Sequence, residues 1–109
     1  MTMKIGIIIE TNDAEKVWNA LRLGITSLAK GHETRIFLLG KGVELEEIGD
    51  EKFDVKNKLT QFLKEKGEIL ACGTCLKLRG KDTVELCPVS TMADLLKLVE
   101  ESDRIISIG

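Results

Sequence analysis

The segment KIGIIIE at residues 4–10 decides the fold class. An unbroken apolar run rich in β-branched residues is typical of a strand that is buried on both faces of a parallel sheet. Asn12 ends this run, and together with Glu15 it resembles a capping box that opens a helix. Apolar residues then recur at helical spacing until Gly31, and these are Val17, Leu21, Ile25 and Leu28. This part of the chain therefore predicts one strand–helix unit of an α/β protein.

The same alternation of strand and helix continues to the end of the chain. Further strands are predicted at residues 35–39, 68–71, 84–86 and 104–108. Asp54 is expected to cap a second helix that ends at Gly67, and residues 74–79 are expected to form a short third helix. Thr91 opens the last helix, whose predicted inward stripe is Met92, Leu95, Leu96 and Val99. The pattern predicts a three-layer α/β/α fold, flavodoxin-like in layout, with a mainly parallel sheet of about five strands.

Length, charge and composition limit the possible functions. The chain has 109 residues and a formal net charge of −2, and residues 1–109 are expected to form a single domain. A pI near 5.5 argues against nucleic acid and anionic membranes as partners. The apolar run at residues 5–9 is too short for a signal peptide or a membrane span, so a cytoplasmic protein is expected. The acidic segment 44–51 is interpreted as a solvated face or as a surface for docking a partner.

The positions of the three cysteines are the main clue to function. In a reducing cytoplasm such cysteines indicate a metal site, a catalytic site or inert thiols rather than a disulfide framework. Cys72 follows the third predicted strand and Cys87 follows the fourth, while Asn12 and Gly40 follow the first two. Ligands and reacting groups gather at the carboxyl ends of the strands in an open α/β sheet. These residues are therefore expected at one edge of the sheet.

The Cys-Gly-Thr-Cys spacing at residues 72–75 predicts thiol chemistry. Cys72 is expected at the start of a helix, where the free N–H groups of Thr74 and Cys75 can stabilise a thiolate. Gly73 has no side chain that blocks the approach of a substrate sulfur. Cys75 lies one helical turn further on and is the natural resolving thiol. Two alternatives stay open for this spacing, namely a metal site and a pair of packed, inert thiols.

Supporting roles are considered for three further residues. Arg79 can offset the negative charge of a thiolate, or it can face solvent at the end of its helix. Cys87 can be a third thiol of the site or a small buried hydrophobe. Asn12 can contact a substrate or cap a helix. A zinc site that includes His32 is disfavoured, because His32 precedes the second strand and so lies at the opposite edge of the sheet.

The sequence resembles the DsrE/DsrF-like family over residues 3–109. The resemblance is carried by segments 11–13, 19–23, 37–40, 43–45, 71–75 with Arg79-Gly80, and 90–92 with Asp103. It implies a three-layer α/β/α fold, assembly as a trimer or hexamer, and sulfur relay through a cysteine persulfide. The spacing to Arg79-Gly80 implies that Cys72 accepts the sulfur. The second cysteine, Cys75, departs from the relay subunits of the family and resembles its single-subunit members.

These observations lead to three hypotheses about function. The first is a sulfur carrier or sulfurtransferase-like protein in which Cys72 accepts sulfane sulfur as a persulfide and Cys75 resolves it. Its partners are then sulfur donor and acceptor proteins. The second is a dithiol redox or regulatory protein that uses a Cys72/Cys75 disulfide, and the third is a non-enzymatic ligand-binding module. No cofactor is expected, because the sequence contains no nucleotide or phosphate-binding glycine pattern. No metal is expected either, because no fourth ligand is predicted at the edge of the sheet that holds the cysteines.

Overall fold

The computed structural model describes residues 2–81 and 86–109. Strands and helices alternate along the chain, as the sequence predicts. The elements are β1 (Lys4–Ile9), α1 (Ala14–Ala29), β2 (Glu33–Leu38), a 3₁₀ helix (Gly40–Glu47), α2 (Val55–Lys64), β3 (Glu68–Cys72), α3 (Gly73–Leu78), β4 (Val89–Ser90), α4 (Met92–Glu101) and β5 (Arg104–Ile108). In the described residues, no helix combines the length and the apolar character needed to cross a membrane.

The described strands form one parallel sheet with the order β4-β3-β2-β1-β5. Strand β1 lies inside this sheet, and Ile7 and Ile9 are fully buried. This confirms the interpretation of the opening apolar run, because a strand with neighbours on both sides and helices on both faces has little contact with water. The predicted α/β fold class, with five mainly parallel strands, is confirmed as well.

Helices cover both faces of the sheet. A Cβ atom added to Gly24 of α1 would lie 2.7 Å from Phe62 of α2 and 3.7 Å from Ile36 of β2. On β1, a Cβ added to Gly6 would lie 2.6 Å from Leu98 of α4. Ile36 pairs with the residue after Gly6, and successive residues of a strand point to opposite faces. Helices α1 and α2 therefore lie on one face and α4 on the other, which gives three layers.

The helix caps agree with the sequence except at α1. Asp54 caps α2, and Thr91 forms a capping box with Asp94 at α4. The cap of α1 is Asp13, whose carboxylate accepts the Lys16 N–H, so the prediction of an Asn12 cap is wrong by one residue. The side chain of Asn12 is engaged elsewhere, because it donates to Glu44.

The predicted inward stripe of α4 is only partly correct. Leu95 and Leu98 are buried against the sheet, whereas Met92, Leu96 and Val99 are 60%, 57% and 41% exposed. Leu98 lies next to Gly6 of β1, and Leu95 is on the same side of the helix. Residues 92, 96 and 99 are on a different side of the helix, which faces solvent. Helix α4 therefore carries a second, uncovered apolar stripe.

The fourth strand differs from the prediction. Val84 and Glu85 of the predicted strand 84–86 lie outside the described residues, and Leu86 is not in a strand. The described strand β4 follows Pro88 instead, at Val89–Ser90, and Ser90 pairs with Cys72. Proline has no N–H to donate and is tolerated at the entrance to an edge strand, where its carbonyl still accepts the Ala71 N–H. Cys87 consequently precedes β4, so its predicted place at the carboxyl end of that strand is wrong.

Candidate functional site

The candidate site lies at the carboxyl edge of the sheet. Cys72 is the last residue of β3 and also the N-cap of α3, which carries Cys75 one turn later. Gly40 opens the 3₁₀ helix directly after β2, and Asn12 lies between β1 and α1. The ends of three neighbouring parallel strands thus bring together residues that are far apart in the sequence.

Each sulfur of the Cys72–Cys75 pair accepts a backbone N–H. Cys72 Sγ accepts the N–H of Cys75 at 3.5 Å, and Cys75 Sγ accepts the N–H of Gly40 at 3.2 Å. Gly40 has a φ of 55°, in the left-handed region that favours glycine. The two sulfurs differ in exposure, since Cys72 is only 2% exposed while Cys75 is half-buried. The pair therefore has one shielded sulfur and one at the surface.

The Cys75 thiol holds its proton more tightly than an ordinary cysteine. Burial raises the pKa of Cys75 most, and the hydrogen bond to Cys72 and the charge of Cys72 raise it further. The Gly40 N–H and the Arg79 guanidinium oppose this rise.

Arg79 reaches the site through its contacts with Glu44 and with the backbone of Cys75. Its Nε donates to Glu44 Oε2 at 2.8 Å, and its Nη1 donates to the carbonyl of Cys75 at 3.1 Å. Asn12 Nδ2 donates to the other oxygen of Glu44 at 3.1 Å. These hydrogen bonds, that of Asn12 first, lower the pKa of Glu44. Arg79 thus holds α3 through the Cys75 backbone carbonyl. The charge of Arg79 has the smallest effect among the causes that shift the Cys75 pKa.

Gly73 and Thr74 fill the two positions between the cysteines. A Cβ at Gly73 would lie 3.1 Å from Val89 Cγ1 and 3.4 Å from the Ser90 carbonyl. A contact this close leaves little room for a side chain, so glycine lets β4 pack against the start of α3. Thr74 is exposed. The structure therefore gives Gly73 a packing role and places Thr74 at the surface beside the pair.

Cys87 is buried against a carboxylate. Burial raises the pKa of Cys87 to about 12, and the charge and hydrogen bond of Glu46 contribute to this rise. Glu46 also accepts the Leu86 N–H with both oxygens at 3.1 Å. The contact of Cys87 is therefore with Glu46, whereas Cys72 and Cys75 contact each other. The structure does not bring Cys87 into the pair.

His32 lies at the amino edge of the sheet, as its position before β2 predicts. Its Nδ1 accepts the N–H of Met3 at 3.0 Å. Among residues 2–81 and 86–109, no group of three or more metal-binding side chains lies close together. In the site, Cys72 and Cys75 are the thiols available to a metal ion.

The comparison with known families decides the identity of this fold. The sequence profile described as the DsrE/DsrF-like family matches residues 3–108, nearly the whole chain. The chain belongs to the DsrE/DsrF-like family. This membership confirms the resemblance that the cysteine segment and the downstream Arg79-Gly80 indicate.

Several proteins similar to this DsrE/DsrF-like chain are known. An uncharacterized protein of Methanopyrus kandleri is 39% identical over 98 residues, covering 84% of this chain and 81% of that protein. An uncharacterized protein of Methanocaldococcus jannaschii is 37% identical over 100 residues, covering 85% and 87% of the two chains. The solved structure of a conserved protein of unknown function from Bacteroides thetaiotaomicron has a TM-score of 0.75 at 21% identity, covering 96% and 94%. That likeness supports the fold.

The acidic segment of this DsrE/DsrF-like chain has a role that its sequence does not reveal. Three of its carboxylates bind the region that carries or follows the cysteines. Glu44 binds Arg79, Glu46 binds the Leu86 N–H, and Glu47 pairs with Lys81 at 2.6 Å. A run of acidic residues is typical of a solvated face, and nothing in its spacing indicates contacts with residues that are distant in the same chain. The sequence predicts Gly40 at the carboxyl edge of the sheet, but it does not predict that the Gly40 N–H binds Cys75 or that Glu44 belongs to the site.

Proposed function

We propose that this protein is a sulfur carrier with sulfurtransferase-like chemistry, in which Cys72 holds sulfane sulfur as a persulfide and Cys75 is its partner thiol. The observation that carries this proposal is the placement of two cysteines one helical turn apart at the carboxyl edge of the sheet, each sulfur with its own backbone N–H donor. Membership of the DsrE/DsrF-like family supports it.

The contacts of Cys72 suit a sulfur that alternates between thiolate and persulfide. In loading, a thiolate attacks the sulfane sulfur of a donor R–S–SH, a new S–S bond forms, and the donor leaves as R–S⁻, which takes up a proton. The Cys75 backbone N–H points to Cys72 Sγ, with an N···Sγ distance of 3.5 Å. Donors of this kind stabilise a negative sulfur before and after the transfer. We expect the donor and the acceptor to be sulfur-handling proteins.

Loading with glutathione persulfide, followed by alkylation and peptide mass spectrometry, tests this function. The wild-type chain is expected to gain one sulfur atom, which peptide mapping places on Cys72 at equilibrium. A later addition of excess dithiothreitol should release that sulfur as hydrosulfide. Cys87→Ser is the matched control, since it removes a thiol outside the pair and should load like the wild type. If no cysteine of the wild-type chain gains sulfur, the carrier function is wrong.

A dithiol redox or regulatory function is the second candidate. The same placement of the two cysteines favours it, because neighbouring thiols can close to a disulfide with the loss of two electrons and two protons to an oxidant. Titration with a glutathione redox buffer distinguishes the two functions. A Cys72/Cys75 disulfide that forms near the cytosolic potential, in a chain that takes up no sulfane sulfur, supports the redox function instead.

We also propose that the chain forms a homo-oligomer, a trimer or a hexamer, as the family resemblance implies. The exposed stripe of Met92, Leu96 and Val99 on α4 favours association, because contiguous apolar surface is costly in water. Sedimentation analysis of Leu96→Lys should show a shift towards the monomer. Lys97→Glu, an exposed change on another side of the same helix, is the control and should leave the assembly intact. A wild-type chain that sediments as a monomer throughout the micromolar range contradicts the proposal.

A further inference from the structure

The two sulfurs of the pair are not equally open to a donor. Cys72 is 2% exposed, and its backbone pairs with Ser90 of β4. Val89 of the same strand packs closely against Gly73, next to Cys72. Cys75 is half-buried on α3 and lies closer to solvent. Thiol exchange requires that the attacking sulfur, the central sulfur and the leaving sulfur lie almost in line, so access limits which cysteine can react first.

We propose that sulfur enters the site at Cys75 and then passes to Cys72, where it is stored away from solvent. This inference rests on the proposed sulfur-carrier function and assigns the order of the two cysteines within it. It gives Cys75 the role of entry thiol rather than that of resolving thiol only.

The surroundings of Cys75 suit an entry thiol. The Gly40 N–H lies 3.2 Å from Cys75 Sγ and stabilises the sulfur when it is negative. The Arg79 guanidinium, which is paired with Glu44 at the end of α3, donates to the Cys75 carbonyl at 3.1 Å and so holds Cys75 in place. Cys72 lies one helical turn before Cys75, and its sulfur accepts the Cys75 backbone N–H at 3.5 Å, so the sulfane sulfur has a short way to pass.

The transfer of sulfur from the donor to Cys75 and then to Cys72, called the relay below, needs neither an oxidant nor a reductant. In the first step Cys75 loses its proton to solvent, and its thiolate attacks the sulfane sulfur of a hydropersulfide R–S–SH. The donor S–S bond breaks, Cys75–S–SH forms, and R–S⁻ leaves and takes a proton from water. In the second step Cys72 gives up its proton and attacks the same sulfane sulfur. Cys72–S–SH forms, and Cys75 leaves as a thiolate on the Gly40 N–H and is protonated again.

Storage on Cys72 has a functional consequence. A persulfide on an exposed cysteine is open to reduction by any free thiol, whereas one at a buried position is reached only through a neighbouring sulfur. The relay therefore allows the protein to exchange sulfur through Cys75 while protecting the stored atom. Release to an acceptor follows the same two steps in reverse.

Rapid-quench loading with glutathione persulfide tests the order in which Cys75 and Cys72 take up sulfur. In the wild-type chain we expect the extra sulfur first on Cys75 and later on Cys72. Cys72→Ser should gain sulfur on Cys75 at the wild-type rate and keep it there. Cys75→Ser should load Cys72 at least about tenfold more slowly, because the remaining thiol is shielded. Cys87→Ser is the control for loss of a thiol, and thermal unfolding of every variant checks that the fold is intact.

Two results contradict the proposed order of Cys75 before Cys72, and a third contradicts the sulfur-carrier function itself. If Cys75→Ser loads Cys72 at the wild-type rate, Cys72 accepts sulfur directly and the relay is wrong, while the carrier function stands. If Cys72→Ser takes up no sulfur, Cys75 is not an entry thiol. If the wild-type chain loads on no cysteine, both the carrier function and the relay are wrong. Should Cys75→Ser unfold, Cys75→Ala replaces it in the same comparison.

Discussion

Cys75 and Cys87 are the same side chain in opposite surroundings. Cys75 accepts an N–H from Gly40 and contacts a second sulfur, whereas Cys87 is buried against the carboxylate of Glu46. An N–H donor stabilises a negative sulfur, and a carboxylate opposes it. Burial is the largest cause of the raised pKa of Cys87, and Cys87 is also the more buried of the two. The polar groups around each sulfur add to this difference.

The largest expected contrast is in alkylation. With a pKa of about 12, Cys87 is only about 10⁻⁴ thiolate at pH 8. We expect iodoacetamide to label Cys87 about a thousandfold more slowly than an ordinary exposed cysteine at this pH, and the rate to rise with pH up to about 12. Peptide mass spectrometry of the labelled chain measures this. Labelling of Cys87 before Cys75 contradicts the comparison.

A smaller change is expected when the carboxylate beside Cys87 is neutralised. Glu46→Gln keeps the shape of the side chain and removes the charge that raises the Cys87 pKa. Burial, the larger cause, remains, so the labelling rate of Cys87 at pH 9 should rise only about three- to tenfold. The labelling of Cys75 serves as the internal reference and should stay constant. An unchanged Cys87 rate shows that burial alone controls this thiol.

The smallest expected effect concerns the contact that positions α3. Glu44→Gln weakens the hold on Arg79, whose Nη1 donates to the Cys75 carbonyl. Both partners are partly exposed, so the free energy of unfolding should fall by no more than about 1 kcal/mol. Persulfide loading should slow by about twofold because Cys75 is less firmly placed. Glu47→Gln, which breaks the pair with Lys81, is the matched control and should leave loading unchanged.

The fold could be predicted because its signals are local. The apolar run forms strand β1, in which Ile7 and Ile9 are fully buried, and Asp54 and Thr91 cap the helices that their positions indicate. The place of Cys72 at a strand end and helix start also follows from local pattern. Strand β4 could not be predicted, since its two residues carry too little periodicity to compete with the apolar residues before it.

The contacts of the site could not be predicted, because they join distant parts of the chain. Glu44 meets Asn12 and Arg79 across separate loops, and the Gly40 N–H reaches a cysteine on another helix. No spacing rule relates such residues, and an acidic run predicts solvent exposure instead. The stripe of α4 was misassigned for a related reason. The line of contact between a helix and a sheet depends on the neighbouring strand, not on the helix alone.

The central claim is that the Cys72–Cys75 pair, and not Cys87, carries sulfane sulfur. Cyanide removes sulfane sulfur as thiocyanate, which can be counted per chain after loading with glutathione persulfide and removal of the excess donor. We expect about one thiocyanate per chain from the wild type and from Cys87→Ser, and none from the folded Cys72→Ser/Cys75→Ser double variant. A double variant that still releases the wild-type amount, with the release lost in Cys87→Ser, would contradict the account.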